Sequence, residues 1–273
     1  MGNTKPKKKK TAGDVILLLL LLTAIGVFCY AAYNLFHIFT EYKKGTDEYN
    51  TIAEMAVTEV EPEGGEAATQ EQEQTLTAPL EIDFASLRAV NEDVIGWIYI
   101  EAIPDINYPV VQGSDNSEYL HTTYQGTYNF AGTIFIDCTN RRDFSDCNTI
   151  VYGHNMKNGS MFGSLKKFLS DEETLKSSKY FWILTPENNY RYEIVSAYKT
   201  AVNSETYTLF KGPGEDFLEY LSMVQSSSQI ATNAKEMNIK DKIVTLSTCT
   251  NDQSVRFVVQ GRLSDTIAVS GDN

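Results

Sequence analysis

Cysteine and histidine are scarce in this sequence: its 273 residues include four cysteines and three histidines. So few cysteines exclude a scaffold built from disulfides in a chain of this length. Basic side chains are also outnumbered, since 23 Lys and Arg face 36 Asp and Glu, for a formal net charge of −13. A chain this acidic repels phosphate backbones, so we predict no nucleic-acid binding. Hydrophobic residues, at 42%, are plentiful enough for a folded core.

The basic residues are concentrated at the N-terminus, in front of a long uncharged segment. Residues 1–14 contain five lysines, and residues 15–33 (VILLLLLLTAIGVFCYAAY) carry no charge. A helix of that length, at about 1.5 Å per residue, just spans a hydrocarbon layer of about 30 Å. We predict one membrane anchor, with the lysines in the cytoplasm and the C-terminal bulk outside the cell. The alternative is a cleaved signal peptide, but the apolar segment is long and ends in bulky side chains such as Phe28.

The composition changes after the apolar segment. Residues 34–80 are predicted to form an acidic flexible linker, because positions 41–80 contain ten acidic side chains, two lysines and no sustained apolar period. Repulsion between those charges favours an extended stalk, and an acidic docking segment is the alternative. Residues 81–268 have the composition of a folded domain, and residues 269–273 form a short tail.

Eight runs rich in Val, Ile, Tyr and Phe alternate with turns along this domain, as is typical of β-strands. They are residues 95–100, 108–112, 132–137, 149–154, 180–184, 190–198, 242–249 and 255–263. A short helix capped by Asp83 precedes them, and helical insertions are predicted at 161–169 and 215–225. Many short strands with few long helices predict a mainly β fold, a closed or nearly closed barrel of eight strands.

Groups able to do nucleophilic chemistry are few in the predicted domain. Cys249 ends the strand-like run TLSTC, where a thiol can face a loop and react, although a buried free cysteine is the commoner case. His154 ends another strand-like run, in VYGHNM, and can transfer protons. Arg256 begins the run after Cys249 and can stabilise an oxyanion. Arg262 has the same strand parity, so position in the strand alone does not separate the two arginines.

The segments YGHNM, TLSTC and RFVVQGRL, in this order, resemble the sortase family of Gram-positive surface transpeptidases. Residues 245–249 match the TLxTC signature of that family, and the resemblance covers roughly residues 81–265. NYPVVQ at 107–112, GHNM and the helix-bearing insertion before the cysteine strand are similar to class B sortases. The resemblance implies an eight-stranded barrel of mixed topology, an N-terminal membrane anchor and a thiol transpeptidase that works without a cofactor.

The resemblance also implies roles for the three candidate catalytic residues. Cys249 is then the nucleophile, His154 the proton-transfer partner and Arg256 the group that stabilises the transition state and the substrate. The implied substrate is a surface protein cut after the threonine of its sorting motif, and the implied acceptor is an amine of the lipid-linked cell-wall precursor. A pilin-polymerising sortase is an enzymatic alternative, and an anchored binding module without catalysis is the alternative from another class. A papain-like hydrolase is disfavoured, because there the cysteine precedes the histidine.

Four further residues are predicted to contact the substrate. By resemblance, Asn107 and Val111 lie on a groove wall, and Tyr207 comes from the insertion before the cysteine strand. Core packing is the alternative for the apolar ones. Ser247 shares the strand parity of Cys249, so we expect it to face the same groove and to hydrogen-bond the bound peptide.

Cys138 and Cys147 bracket the loop CTNRRDFSDC. Outside the cell they would either form a disulfide or remain ordinary thiols, and the sequence leaves both alternatives open. A zinc site that joins them to His121 or His154 lacks the usual ligand spacing. So acidic a chain does not exclude a calcium site, but no EF-hand-like spacing is present. The sequence therefore predicts no metal site.

Overall fold

The structure is a computed structural model that describes residues 12–60, 76–232, 234–249 and 254–269. Most of the predicted basic segment, residues 61–75 of the predicted linker and residues 270–273 of the tail lie outside the described residues. The helices are α1 (Ala12–Ala56), α2 (Phe84–Val90), α3 (Lys167–Ser170), α4 (Glu172–Ser177) and α5 (Glu215–Ser226). The strands are β1 (Val57–Glu59), β2 (Leu80–Ile82), β3 (Val94–Ile100), β4 (Asn107–Val111), β5 (Ile134–Ile136), β6 (Asn148–Tyr152), β7 (Tyr180–Leu184), β8 (Asn188–Ala201), β9 (Ile243–Cys249) and β10 (Val255–Ala268).

Eight of the strands close into a barrel in the order β10-β8-β7-β3-β4-β5-β6-β9. The β4–β5 and β6–β9 pairs are parallel, and the remaining neighbours in the barrel are antiparallel. Each of the eight predicted runs overlaps one barrel strand, so the predicted mainly β fold with a closed eight-stranded barrel is confirmed. Large aromatic side chains fill the core, including fully buried Trp97, Trp182 and Tyr192.

The two predicted helical insertions have different outcomes. The insertion at 215–225 is α5, which buries Phe217, Leu221 and Val224 in a hydrophobic cluster. The insertion at 161–169 becomes helical only from Lys167 onward. Met161 has a φ of +54°, a left-handed conformation that a right-handed helix cannot contain, so the segment starts as a tight turn.

The chain divides into two compact units at Lys44. The described part of the first unit, residues 12–44, is helical throughout and contains the predicted membrane span 15–33. By length and composition, α1 is the helix among the described residues that is apolar enough to cross a membrane. Its N-terminal apolar side chains are exposed, which is consistent with a membrane anchor.

Residues 45–60 belong to the second unit and correct the linker prediction. Within α1, four residues at spacings of four and three are buried: Gly45, Tyr49, Ile52 and Ala56. The next three residues form β1, which pairs antiparallel with β2. The prediction of an acidic flexible linker is therefore wrong for residues 45–60. A narrow apolar stripe between acidic residues is enough to fold this segment onto the barrel unit.

Replacement of Ile52 tests this packing. Ile52 is 2% exposed, so Ile52→Ala should lower the free energy of unfolding by about 2–5 kcal/mol through lost burial and a cavity. In a domain of this size, each kcal/mol lowers Tm by roughly 2–4 °C. Met55, on the same helix, is 48% exposed, so Met55→Ala serves as the control and should leave Tm nearly unchanged. Thermal unfolding of the full-length chain in detergent measures both variants. Equal Tm values for Ile52→Ala and Met55→Ala would show that residues 45–56 do not pack against the barrel.

Candidate active site

The parallel pairing of β6 with β9 brings two predicted catalytic positions to one edge of the barrel. Tyr152 and Ser247 are Cα partners in this pair, and the Gly153 amide donates to the Ser247 carbonyl over 3.1 Å. His154 follows Tyr152 by two residues, and Cys249 follows Ser247 by two. Neighbouring parallel strands advance together, so the two positions emerge side by side.

The antiparallel pairing of β9 with β10 adds the third position. The Cα atoms of Arg256 and Cys249 are direct partners across these strands. The structure describes the backbone of Cys249, which ends β9, whereas its side chain lies outside what the structure describes. The strand order β6-β9-β10 therefore brings together the three predicted positions, which are far apart in the sequence.

A chain of buried polar side chains joins the same three strands. Thr245 of β9 donates from Oγ1 to Oδ1 of Asn148 on β6 over 2.9 Å. Gln260 of β10 donates from Nε2 to Thr245 Oγ1 over 3.0 Å. All three side chains are fully buried. Since buried polar groups are costly when unpaired, this chain favours one register among the three strands.

A cleft of about 230 Å³ opens where these strands end. Its described lining includes three of the predicted site residues, His154, Arg256 and Ser247. The other lining residues are Asn116, Leu120, Phe135, Tyr152, Gly153 and Thr248. Asn116 and Leu120 come from the long loop between β4 and β5, for which the sequence offered no periodic signal. Tyr152 stands directly before the GH pair of the YGH motif, which is the signal that identifies it in retrospect.

The half-buried imidazole of His154 is oriented by a backbone carbonyl. Its Nε2 lies 2.6 Å from the Leu120 oxygen. A carbonyl only accepts hydrogen bonds, so Nε2 carries the proton and the neutral ring is left with Nδ1 as the nitrogen that can accept one. The exposed ring of His121 stacks on His154 with centroids 5.3 Å apart. Burial lowers the pKa of His154 below its usual value, the bond to Leu120 opposes this shift, and His121 adds to it.

A buried carboxylate, Asp137, binds two residues that line the cleft. Asp137 is 7% exposed, and its Oδ2 accepts from Asn116 Nδ2 over 2.8 Å and from the Tyr152 hydroxyl over 3.2 Å. Burial alone would raise the pKa of Asp137, but hydrogen bonds from Thr139, Asn116 and Tyr152 outweigh it and hold the pKa below the usual range. The charged carboxylate thus fixes the orientation of Asn116 and Tyr152.

Two of the four predicted substrate-contacting residues meet beside the cleft. The Tyr207 hydroxyl lies 2.8 Å from Ser247 Oγ, and either oxygen can be the donor. Tyr207 ends the short 3₁₀ helix Glu205–Tyr207 in the insertion before β9, as expected from the resemblance. Ser247 is 3% exposed, so its hydroxyl is held close to the floor of the cleft.

The other two residues predicted to contact substrate lie elsewhere. Val111 is fully buried in β4, where its Cα pairs with those of Val94 and Phe135, so it is a core residue. Asn107 begins β4 and accepts a hydrogen bond from the indole nitrogen of Trp97. Neither belongs to the described lining of the cleft. Val111 therefore fits the alternative given for the apolar residues, which is packing in the core.

Arg262, the other candidate arginine, forms an ion pair away from the cleft. Its Nη2 lies 2.6 Å from Glu193 Oε2, and both side chains are 12% exposed. Lys179 occupies the other carboxylate oxygen of Glu193 at 2.7 Å. In the β9–β10 register Arg262 lies opposite Ile243, the first residue of β9, whereas Arg256 lies opposite its last residue. The two arginines thus occupy opposite ends of the same strand pair.

The remaining cysteines of the domain are free thiols in this structure. Cys147 is buried in the hydrophobic cluster beneath α5, and burial raises the pKa of its thiol. Cys138 is half-buried in the loop after β5. Among the residues that the structure describes, no group of three or more His, Cys, Asp or Glu side chains is placed to hold a metal ion.

Comparison with known proteins agrees with this fold. Residues 98–264 match the family described as Sortase domain. The chain is 38% identical over 184 residues to "Sortase B" of Listeria monocytogenes, which covers 66% of this chain and 74% of that protein. The crystal structure of sortase B from Bacillus anthracis superposes with a TM-score of 0.65 at 33% identity, over 84% of this chain and 98% of that one. The structure of sortase B from Clostridium perfringens superposes with a TM-score of 0.62 at 33% identity, over 67% of this chain and 100% of that one.

The closed mixed barrel and the family match over residues 98–264 define the class of protein as a sortase-type transpeptidase. The chain belongs to the sortase family, and its relatives place it among the class B sortases. The predicted family is thereby confirmed.

The protonation of His154 can be tested directly. We expect its imidazole to titrate below the usual value near 6.5, so that the ring is neutral at pH 7. Since His121 contributes to that lowering, His121→Asn should move the midpoint to higher pH. Ring ¹⁵N NMR of the full-length chain resolves the titration, because the chain has three histidines. A midpoint that does not move would show that the stacked rings are not electrostatically coupled.

Proposed function

We propose that this chain is a membrane-anchored cysteine transpeptidase that cleaves a C-terminal sorting motif of secreted surface proteins after threonine. It then transfers the new carboxyl end to an amine of the lipid-linked cell-wall precursor. The observation that supports this most strongly is the register of β6, β9 and β10, in which His154, Arg256 and the Cys249 backbone converge on one cleft.

In the first half-reaction Cys249 is the nucleophile. Nδ1 of neutral His154 takes the thiol proton of Cys249, and the resulting thiolate attacks the threonine carbonyl carbon; the peptide C–N bond breaks as the thioester forms. The imidazolium gives this proton to the leaving amine, which departs with the C-terminal part of the sorting signal. Arg256 stabilises the oxyanion of the tetrahedral intermediate, a role suited to a guanidinium that keeps its charge at any relevant pH.

The second half-reaction reverses the proton transfer. The acceptor amine attacks the thioester carbon while neutral His154 removes its proton, and the Cys249 thiolate leaves. A ring with a lowered pKa is neutral at pH 7 and therefore available as this base. The Leu120 carbonyl holds the Nε2 proton, which assigns both proton transfers to Nδ1.

The cleft also offers groups for the sorting peptide. The Tyr207–Ser247 hydroxyl pair and the amide of Asn116 provide donors and acceptors for a peptide backbone. Phe135 and Leu120 supply apolar surface on the same walls. A substrate peptide would thus lie between polar and apolar groups along the cleft, with its scissile carbonyl near the end of β9.

The proposed location follows from the N-terminal segment. The five lysines before residue 11 favour a cytoplasmic N-terminus, and the apolar part of α1 would cross the membrane once. The catalytic domain is then extracellular, where both the surface protein and the lipid-linked precursor are found.

Trapping of the acyl-enzyme tests the proposed reaction. The full-length chain in detergent is incubated with a panel of threonine-containing sorting peptides, and intact-mass spectrometry detects the thioester on Cys249. An added amine should release it as a transpeptidation product. Cys249→Ala should give no adduct, and His154→Ala should slow both formation and release, because one imidazole serves both steps.

Replacement of another cysteine provides the matched control for this experiment. Cys138 is a half-buried thiol of the same domain, and Cys138→Ala should leave acyl-enzyme formation intact. Absence of an adduct from the wild-type chain across the whole panel would count against the transpeptidase. An adduct that persists in Cys249→Ala would move the nucleophile to another residue.

The two arginines of β10 can be separated by the same substitution. Arg256→Lys keeps the positive charge but loses the planar fork, so we expect a roughly 10²–10³-fold loss of turnover, as for an oxyanion-hole donor. Arg262→Lys disturbs a mostly buried ion pair with Glu193, so it should lower Tm while turnover below the melting transition stays close to wild type. Steady-state kinetics and thermal unfolding measure both effects. The opposite ranking would assign the catalytic role to Arg262.

A further inference from the structure

Two loops of the barrel unit determine where the imidazole of His154 lies. The loop between β4 and β5 provides the Leu120 carbonyl that binds Nε2, and the loop after β6 carries His154 itself. A side chain from a third element, Tyr49 of α1, contacts the supports of both loops. It is 4% exposed and takes no part in the cleft itself.

The first connection runs through the Tyr49 hydroxyl. It donates to the Gly132 carbonyl and lies 3.1 Å from Thr133 Oγ1, at the end of the β4–β5 loop. Gly132 has a φ of +55° and packs so closely on the Leu120 turn that an added Cβ would lie 2.4 Å from the Leu120 oxygen. A hydroxyl that fixes Gly132 therefore also fixes the carbonyl to which His154 donates.

The second connection runs through the Tyr49 ring. It meets the ring of Tyr108 edge to face, with centroids 5.4 Å apart and planes at 88°. The Tyr108 hydroxyl accepts from the Met161 amide over 3.0 Å, and the next amide, Phe162, donates to the His154 carbonyl over 2.9 Å. Met161 has a φ of +54°, which is costly for a non-glycine residue and needs support from its surroundings.

We propose that Tyr49 is a positioning residue for His154. Its hydroxyl holds the Leu120 carbonyl in place through Gly132, and its ring supports the turn that closes the His154 loop through Tyr108. The part of α1 that belongs to the barrel unit, residues 45–56, thereby sets the tautomer and orientation of the imidazole. The kinetic part of this inference rests on the proposed transpeptidase function, whereas the tautomer of His154 is a property of the resting protein.

Tyr49→Phe isolates the hydroxyl, because the aromatic packing on Tyr108 is retained. In the full-length chain in detergent, we expect the rate of acyl-enzyme formation at saturating sorting peptide to fall roughly 3- to 10-fold, the value of one hydrogen bond. KM for the peptide should stay unchanged, because Tyr49 does not line the cleft. Ring ¹⁵N NMR should show a single Nε2–H tautomer of His154 in the wild type and a mixture of the Nε2–H and Nδ1–H tautomers in Tyr49→Phe.

Two further variants separate positioning from stability. Ile52→Ala removes an equally buried aliphatic side chain one turn along the same helix. It should lower Tm at least as much as Tyr49→Phe, yet keep the wild-type rate and His154 spectrum below the melting transition. Gly132→Ala, which displaces the Leu120 carbonyl directly, should reproduce the spectral change of Tyr49→Phe.

Two results would overturn the inference. One is a Tyr49→Phe chain with the wild-type rate and tautomer, and the other is an Ile52→Ala chain that loses as much activity as Tyr49→Phe. If the wild-type chain forms no acyl-enzyme, the proposed function fails. The His154 spectrum then still decides whether Tyr49 positions the ring.

Discussion

The hydrogen-bonded chain Asn148–Thr245–Gln260 is the constraint on which the candidate site depends. It crosses β6, β9 and β10 on the face covered by α5 and the 3₁₀ helix Glu205–Tyr207, at positions that water does not reach. A slip of one residue between two of these strands would leave buried donors and acceptors unpaired, at about 1–3 kcal/mol for each group. The register that makes these hydrogen bonds is also the one that places Arg256 opposite Cys249 and brings His154 to the same edge.

The choice of a carbonyl rather than a carboxylate to orient His154 has an electrostatic consequence. A carboxylate would stabilise the imidazolium and raise the pKa of the ring, whereas the Leu120 carbonyl gives a weaker preference for the charged form. Burial then dominates, and the pKa of His154 falls. The ring is held in one tautomer without being held protonated, which is the state in which Nδ1 can take up a proton at neutral pH.

The barrel was predictable from sequence because each of its strands is a short run of β-branched and aromatic residues bounded by turns. The order of YGHNM, TLSTC and RFVVQGRL likewise identified His154 and Arg256, which the structure places in one cleft. Residues 45–60 were missed because only Tyr49 and Ile52 are large among the buried positions of that helix, and acidic residues surround them. The Leu120 carbonyl that orients His154 was missed because every residue has a backbone carbonyl, so the residue type gives no sign of this role.

The two arginines of β10 show why strand parity was not sufficient to define the site. Arg256 and Arg262 are six residues apart, so an unbroken strand directs both to the same face. Their cross-strand neighbours differ, since one lies opposite the end of β9 and the other opposite its beginning. Glu193 and Lys179 then engage Arg262 in a partly desolvated cluster that holds the pKa of Glu193 below its usual value, although burial alone would raise it. The side chains and strand ends around each arginine, rather than the alternation of residues along β10, therefore decide which guanidinium faces the cleft.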